Sequence, residues 1–155
     1  MYPIKRHHIK RFVLACALAA AAATTATAAT AATAATAAAT TARNPISVHV
    51  LDLQSGQPTA GVRVTLEARA GDAWRELAGG VTDAQGRIAA LYPEGRPVTA
   101  GDYRIVFQTG EHYARQKQAT FFPRIPVEFT VDAPAQHYHI PLLLSPFGYS
   151  TYRGN

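Results

Sequence analysis

Histidine is the side chain whose ordinary pKa lies close enough to neutrality for ready proton transfer. The chain beyond residue 43 holds four, at positions 49, 112, 137 and 139. His137 and His139 stand two apart in a run with the pattern of a strand, so both leave the same face of that strand, about 7 Å apart. Tyr138, Ile140, Leu142 and Leu144 take the opposite face, which reads as core. His49 lies in Ile46-Ser47-Val48-His49-Val50-Leu51-Asp52 and shares a face with Ser47 and Leu51, while Ile46, Val48 and Val50 take the other. Three imidazoles on two strands therefore point away from apolar faces. His112 falls in a helical stretch and has no such company.

Arg87 directly follows Gly86 at the mouth of the turn Thr82-Asp83-Ala84-Gln85-Gly86. A guanidinium held there can take an anionic, planar, amide-rich ligand through two parallel hydrogen bonds. The run from Ser145 to Thr151 lacks the composition of a disordered tail, so Tyr152-Arg153-Gly154-Asn155 is expected to be ordered to its last residue. Simpler readings compete with these. Solvent-facing strand histidines occur without function, and an H-x-H pair with His49 as a third group can be a metal site. No carboxylate accompanies the pair at ligand spacing and no cysteine lies beyond residue 43, which weighs against zinc.

The elements that must position these groups are short and β-patterned. Strands are predicted over 46–52, 62–68, 74–81, 87–91, 103–107, 127–131, 136–144 and 149–153, and one helix over 111–118. Ser55-Gly56-Gln57-Pro58 and Asp83-Ala84-Gln85-Gly86 are turn sequences, the second with glycine placed for positive φ. Eight short strands with turn punctuation indicate an all-β, antiparallel sandwich or barrel. A domain of about 110 residues encloses one core and little more, so a groove on a sheet face or between subunits is the expected site.

Charge is distributed unevenly. The formal net charge is +5, but all ten acidic residues lie after Arg43, as do ten of the fifteen basic ones. The domain is formally neutral and has no Lys/Arg stripe, which leaves nothing to drive nucleic-acid binding. The excess sits in the leader. MYPIKRHHIKR is a basic segment before the apolar run 12–23, and small-residue contexts such as Ala26-Thr27-Ala28 follow, as in an export signal. That run is too short to span a bilayer, and Cys16, the only cysteine, lies inside it. A signal peptide is expected over 1–28, an Ala/Thr-rich linker over 29–44 and the folded domain over 45–155. The expected location is periplasmic or secreted, with no membrane association once the leader is removed.

At Ser47-Val48-His49-Val50-Leu51-Asp52, Thr82-Asp83-Ala84-Gln85-Gly86-Arg87, Phe121-Phe122-Pro123-Arg124-Ile125-Pro126-Val127-Glu128-Phe129, His137-Tyr138-His139-Ile140-Pro141-Leu142-Leu143-Leu144-Ser145 and Tyr152-Arg153-Gly154-Asn155, the chain resembles the 5-hydroxyisourate hydrolases, the enzymatic branch of the transthyretin family. The resemblance implies a transthyretin-like sandwich of two four-stranded sheets, a homotetramer, and active sites in a channel between dimers. It places catalytic positions on His49, Arg87 and His139 and substrate contacts on His49, Arg87, Tyr152, His137 and Asn155. The family's usual ending is Tyr-Arg-Gly-Ser, and Asn155 stands where that serine would be. The implied reaction is hydrolysis of a ring C–N bond of 5-hydroxyisourate in urate degradation, without metal or organic cofactor. His49 and His139 would position and activate water, either one being the base, and Arg87 would offset charge on the oxygen. Two alternatives are a carrier of a hydrophobic ligand, which needs an apolar channel, and an exported interaction module.

Overall fold

The computed structural model describes residues 43–155; the expected signal peptide and all but the last two residues of the expected linker lie outside the described residues. Alternation of apolar and polar residues at period two drives eight segments of the domain into strands. They are β1 (Ile46–Asp52), β2 (Arg63–Ala70), β3 (Ala73–Val81), β4 (Arg87–Ile88), β5 (Gly101–Phe107), β6 (Ile125–Val131), β7 (Tyr138–Ser145) and β8 (Gly148–Thr151), with one helix, α1 (Thr109–Arg115), between β5 and β6. The strands form two four-stranded sheets, ordered β4-β1-β7-β8 and β3-β2-β5-β6. The inward residues meet between them: Ile46, Val48 and Val50 of β1, Val64 and Leu66 of β2, Tyr103, Ile105 and Phe107 of β5, and Ile140, Leu142 and Leu144 of β7 are all buried. Among the described residues no helix is long and apolar enough to cross a membrane.

All strand pairs are antiparallel except one. β1 and β7 run parallel, in a register that sets Ser47 beside His139 and His49 beside Pro141. On the other side of β1, the short strand β4 sets Arg87 beside His49. β4 ends after two residues, short of the expected 87–91: its regular pairing with β1 is limited to Val48 with Ile88 and His49 with Arg87. Leu91 still donates to the Ile46 carbonyl and buries its side chain.

The helix starts two residues earlier than expected and stops three earlier. Its first turn includes Gly110, whose missing side chain admits Pro123: a Cβ at 110 would lie 2.9 Å from the Pro123 Cβ. Close approach outweighs the poor helix propensity of glycine. Lys117 turns into the left-handed region at φ 56, and the Gln118 N–H closes back on the Tyr113 carbonyl.

Presentation of Arg87 depends on the turn before it. Asp83 Oδ1 accepts from the N–H groups of Gln85 and Arg87 at 2.9 and 2.8 Å, an Asx-type turn. Gly86 has φ +70, and a Cβ there would fall 2.4 Å from the Val50 carbonyl oxygen and 2.9 Å from the Thr59 nitrogen. Gly86→Ala is therefore expected to cost at least about 1–3 kcal/mol, read as a lower urea midpoint; an unchanged midpoint would show that this turn relaxes freely.

Candidate active site

The outward face of the β4-β1-β7-β8 sheet gathers the groups that the sequence singled out. The His49 and His139 ring centroids are 6.4 Å apart, tilted by 31°. His137 and His139 lie 6.3 Å apart, stacked with an interplanar angle of 15°. Arg87, exposed on the neighbouring strand, is the cross-strand partner of His49. After β8 the tail continues along β7, where the Gly154 N–H donates to the His139 carbonyl at 2.9 Å. Tyr152 is half-exposed and, with His139, lines a cavity of about 220 Å³ between the tail, β7 and β6. Asn155 follows, exposed.

The three histidines are not equivalent. His139 is buried although its face points away from the core. Ser47, also buried on this outward face, has its Oγ 2.8 Å from His139 Nδ1 and 2.9 Å from His137 Nε2. His137 Nδ1 lies 2.7 Å from the Asn44 carbonyl oxygen, so both of its ring nitrogens are engaged within the protein. The Nε2 of His49 is buried and, among the described residues, makes no hydrogen bond. Ser47 is the residue for which the sequence suggested no role. Its signal was position, two before His49 on the same face.

Burial holds the His139 imidazole below its ordinary pKa, and the positive charge of Arg87 adds to this, as do His137, His49 and Arg43. His49 is lowered for the same two leading reasons, burial and then Arg87, against weaker opposition from the Gln85 carbonyl and Asp83. Both effects favour the neutral ring, which can accept a proton, beside a fixed guanidinium.

His112 lies elsewhere. It is buried on α1 beside a polar cavity of about 310 Å³ with Asp52, Thr59 and Tyr113, and its Nε2 meets the Gln116 side-chain amide at 3.0 Å. It is a packed residue on the helix, apart from the other three histidines as the sequence suggested. Among the described residues no cluster of three or more His, Cys, Asp or Glu is arranged to hold a metal ion.

A sandwich of this topology with a His/His/Arg face defines a class before it defines a protein. A family model described as HIUase/Transthyretin family matches residues 46–154. The chain belongs to that family. A relative from Salmonella typhi named 5-hydroxyisourate hydrolase is 46% identical over 147 residues, covering 95% of this chain and all of the relative. Among solved structures, the 5-hydroxyisourate hydrolase of Klebsiella pneumoniae superposes with a TM-score of 0.62 at 39% identity, covering 72% of this chain and 94% of that one. Transthyretin from Sparus aurata superposes with a TM-score of 0.67 at 35% identity, covering 72% and 97%. Shape alone therefore does not separate hydrolase from transthyretin; the side chains on the outward face must.

A protonated imidazole beside Arg87 is disfavoured, so the neutral forms of His49 and His139 persist to lower pH than in a free histidine, and protonation sets in only as pH falls through the lowered values. In an NMR titration both rings are expected to have midpoints below 6.5. Arg87→Gln is expected to raise both. Midpoints at or above 6.5, or indifference to the Arg87 change, would contradict this electrostatic account.

Proposed function

We infer that this chain hydrolyses 5-hydroxyisourate, breaking a C–N bond of the six-membered ring to give 2-oxo-4-hydroxy-4-carboxy-5-ureidoimidazoline, a step in urate degradation. The observation that carries the reading is the convergence of His49, His139 and Arg87 on one sheet face, in a chain whose relatives bear that activity in their names. A neutral imidazole takes a proton from water as the oxygen attacks the ring carbonyl. Arg87 stabilises the negative charge that then develops on the carbonyl oxygen. Collapse of that intermediate breaks the C–N bond, and the departing nitrogen takes up the proton. Tyr152 and Asn155, on the tail beside His139, contact the ring of the substrate. No metal or organic cofactor enters this scheme. A carrier of a hydrophobic ligand would need an apolar surface, and three imidazoles with a guanidinium do not supply one.

The proposal includes self-association as a homotetramer. A flat sheet face leaves a reacting water open to bulk solvent, whereas a second copy lying across it makes an enclosed channel. Phe121 and Phe147 are 72% exposed and Tyr149 is 40% exposed, grouped around the Phe121 N–H to Pro146 carbonyl bond, an apolar patch that a monomer leaves in water. The strands β6 and β8 also stand at sheet edges with unpaired backbone groups. Export completes the proposal, supported by the basic segment and apolar run of the leader.

Freshly generated 5-hydroxyisourate, followed by its ultraviolet absorbance, is expected to decay faster with the protein than without, and equally fast after exhaustive chelation. His49→Ala, His139→Ala and Arg87→Ala are each expected to lower kcat/KM by at least about 10²-fold. His112→Ala is expected to reduce stability and spare turnover. The reading fails if the His49 and Arg87 variants keep wild-type turnover while folded, and the assembly fails if light scattering finds an active monomer. Mature protein from its native host is expected outside the cytoplasm, beginning between Ala29 and Asn44; intact Met1 on cytoplasmic protein would refute export.

A further inference from the structure

The hydrogen bonds behind His139 form a chain whose direction is forced at one end. The Asn44 carbonyl oxygen can only accept, so the proton between it and His137 belongs to His137 Nδ1, 2.7 Å away. A neutral imidazole carries one N–H, so His137 Nε2 is an acceptor. The hydroxyl of Ser47, 2.9 Å from it, must then donate to His137. Having spent its single proton there, Ser47 Oγ has only lone pairs for His139 Nδ1, 2.8 Å away, and His139 donates. The proton of neutral His139 is thereby held on Nδ1. Its Nε2 bears a lone pair, and among the described residues no hydrogen bond engages it.

The chain is anchored at both ends. The Asn44 side chain bridges to the Tyr92 backbone, donating to its carbonyl at 2.8 Å and accepting from its N–H at 3.0 Å, and so fixes the start of β1. On the other side the tail presses on the imidazole: a Cβ at Gly154 would lie 2.5 Å from His139 Cδ2. Only glycine lets the backbone pass so close.

We propose that the Asn44 carbonyl, His137 and Ser47 set the tautomer of His139, making His139 Nε2 the general base of the hydrolysis, with Ser47 and His137 as positioning residues. The step balances. An O–H bond of the attacking water breaks and an N–H bond forms at Nε2; the positive charge on the ring is shared with the hydrogen bond from Nδ1 to Ser47, and the same proton later passes to the departing nitrogen. His137, with both nitrogens committed, orients the base and does not grip substrate. This assignment rests on the hydrolase reading above.

The test joins ¹⁵N NMR of histidine-labelled protein, which distinguishes protonated from unprotonated ring nitrogens without any substrate, to steady-state kinetics on fresh 5-hydroxyisourate. Above its midpoint, wild-type His139 is expected to show a protonated Nδ1 and an unprotonated Nε2. Ser47→Ala and His137→Phe are each expected to move part of that proton to Nε2. Each should lower kcat by about 10–100-fold, by analogy with partners that orient a metal-bound histidine, with little change in KM. Ser47→Thr, which retains the hydroxyl, should recover the tautomer and most of the kcat. Because either change breaks the same chain, the double variant should be no slower than the slower single one. A wild-type His139 protonated on Nε2, a Ser47→Ala protein with unchanged tautomer and kcat, or a His137→Phe effect confined to KM would each overturn the proposal. Wild-type protein that shows the expected tautomer and no turnover would instead refute the substrate assignment, leaving the hydrogen-bond chain intact.

Discussion

The parallel pairing of β1 with β7 is the constraint on which the rest of the site depends. Residues 90 or more apart in sequence are brought side by side by that single register, Ser47 against His139 and His49 against Pro141. A slip of one residue would turn every side chain of one strand to the other face. On β1, Ser47 and His49 would then enter the core and Ile46, Val48 and Val50 would leave it. The hydrophobic core therefore enforces the geometry of the polar face: the apolar residues can bury themselves in one register only, and that register assembles the histidines.

Energetic pressure on the site comes from two sides. Burial of His139 and the neighbouring charge of Arg87 both disfavour the imidazolium, which keeps the base ready but weakens its hold on the proton it takes up. The cost of placing polar atoms on a buried stretch of sheet is offset by satisfying them in series. Asn44, His137, Ser47 and His139 each meet a partner, as buried polar groups must. His49 Nε2 stands outside that series, buried and without a partner among the described residues, and such a group gains most from a ligand that can bond to it.

Transthyretin and the hydrolases share this sandwich, and the chain superposes on members of both. The contrast shows how little of the function resides in the fold. Function lies in a few side chains on one face, and a different set of residues there would give the same two sheets another use. The tail matters for the same reason. Gly154 reaches His139 only because the strand β8 has already aligned the chain with β7.

Much of this was legible in the sequence, for a physical reason. Strand patterns and turn glycines act locally, so the eight strands, the Gly86 turn and the division of β1 and β7 into apolar and polar faces could be read with period two alone. His49, Arg87 and His139 stood out because polar groups opposite an apolar face are conspicuous in any strand. Boundaries were less legible where a distant contact overrode local preference: Gly110 begins the helix because Pro123 packs against it. What only the tertiary structure decided was adjacency. Which strand lies beside β1, that they run parallel, and that Ser47 stands between two histidines are properties of a register chosen by the whole core. The proton positions that follow belong to a network whose members are scattered from Asn44 to His139, and no local stretch of sequence contains it.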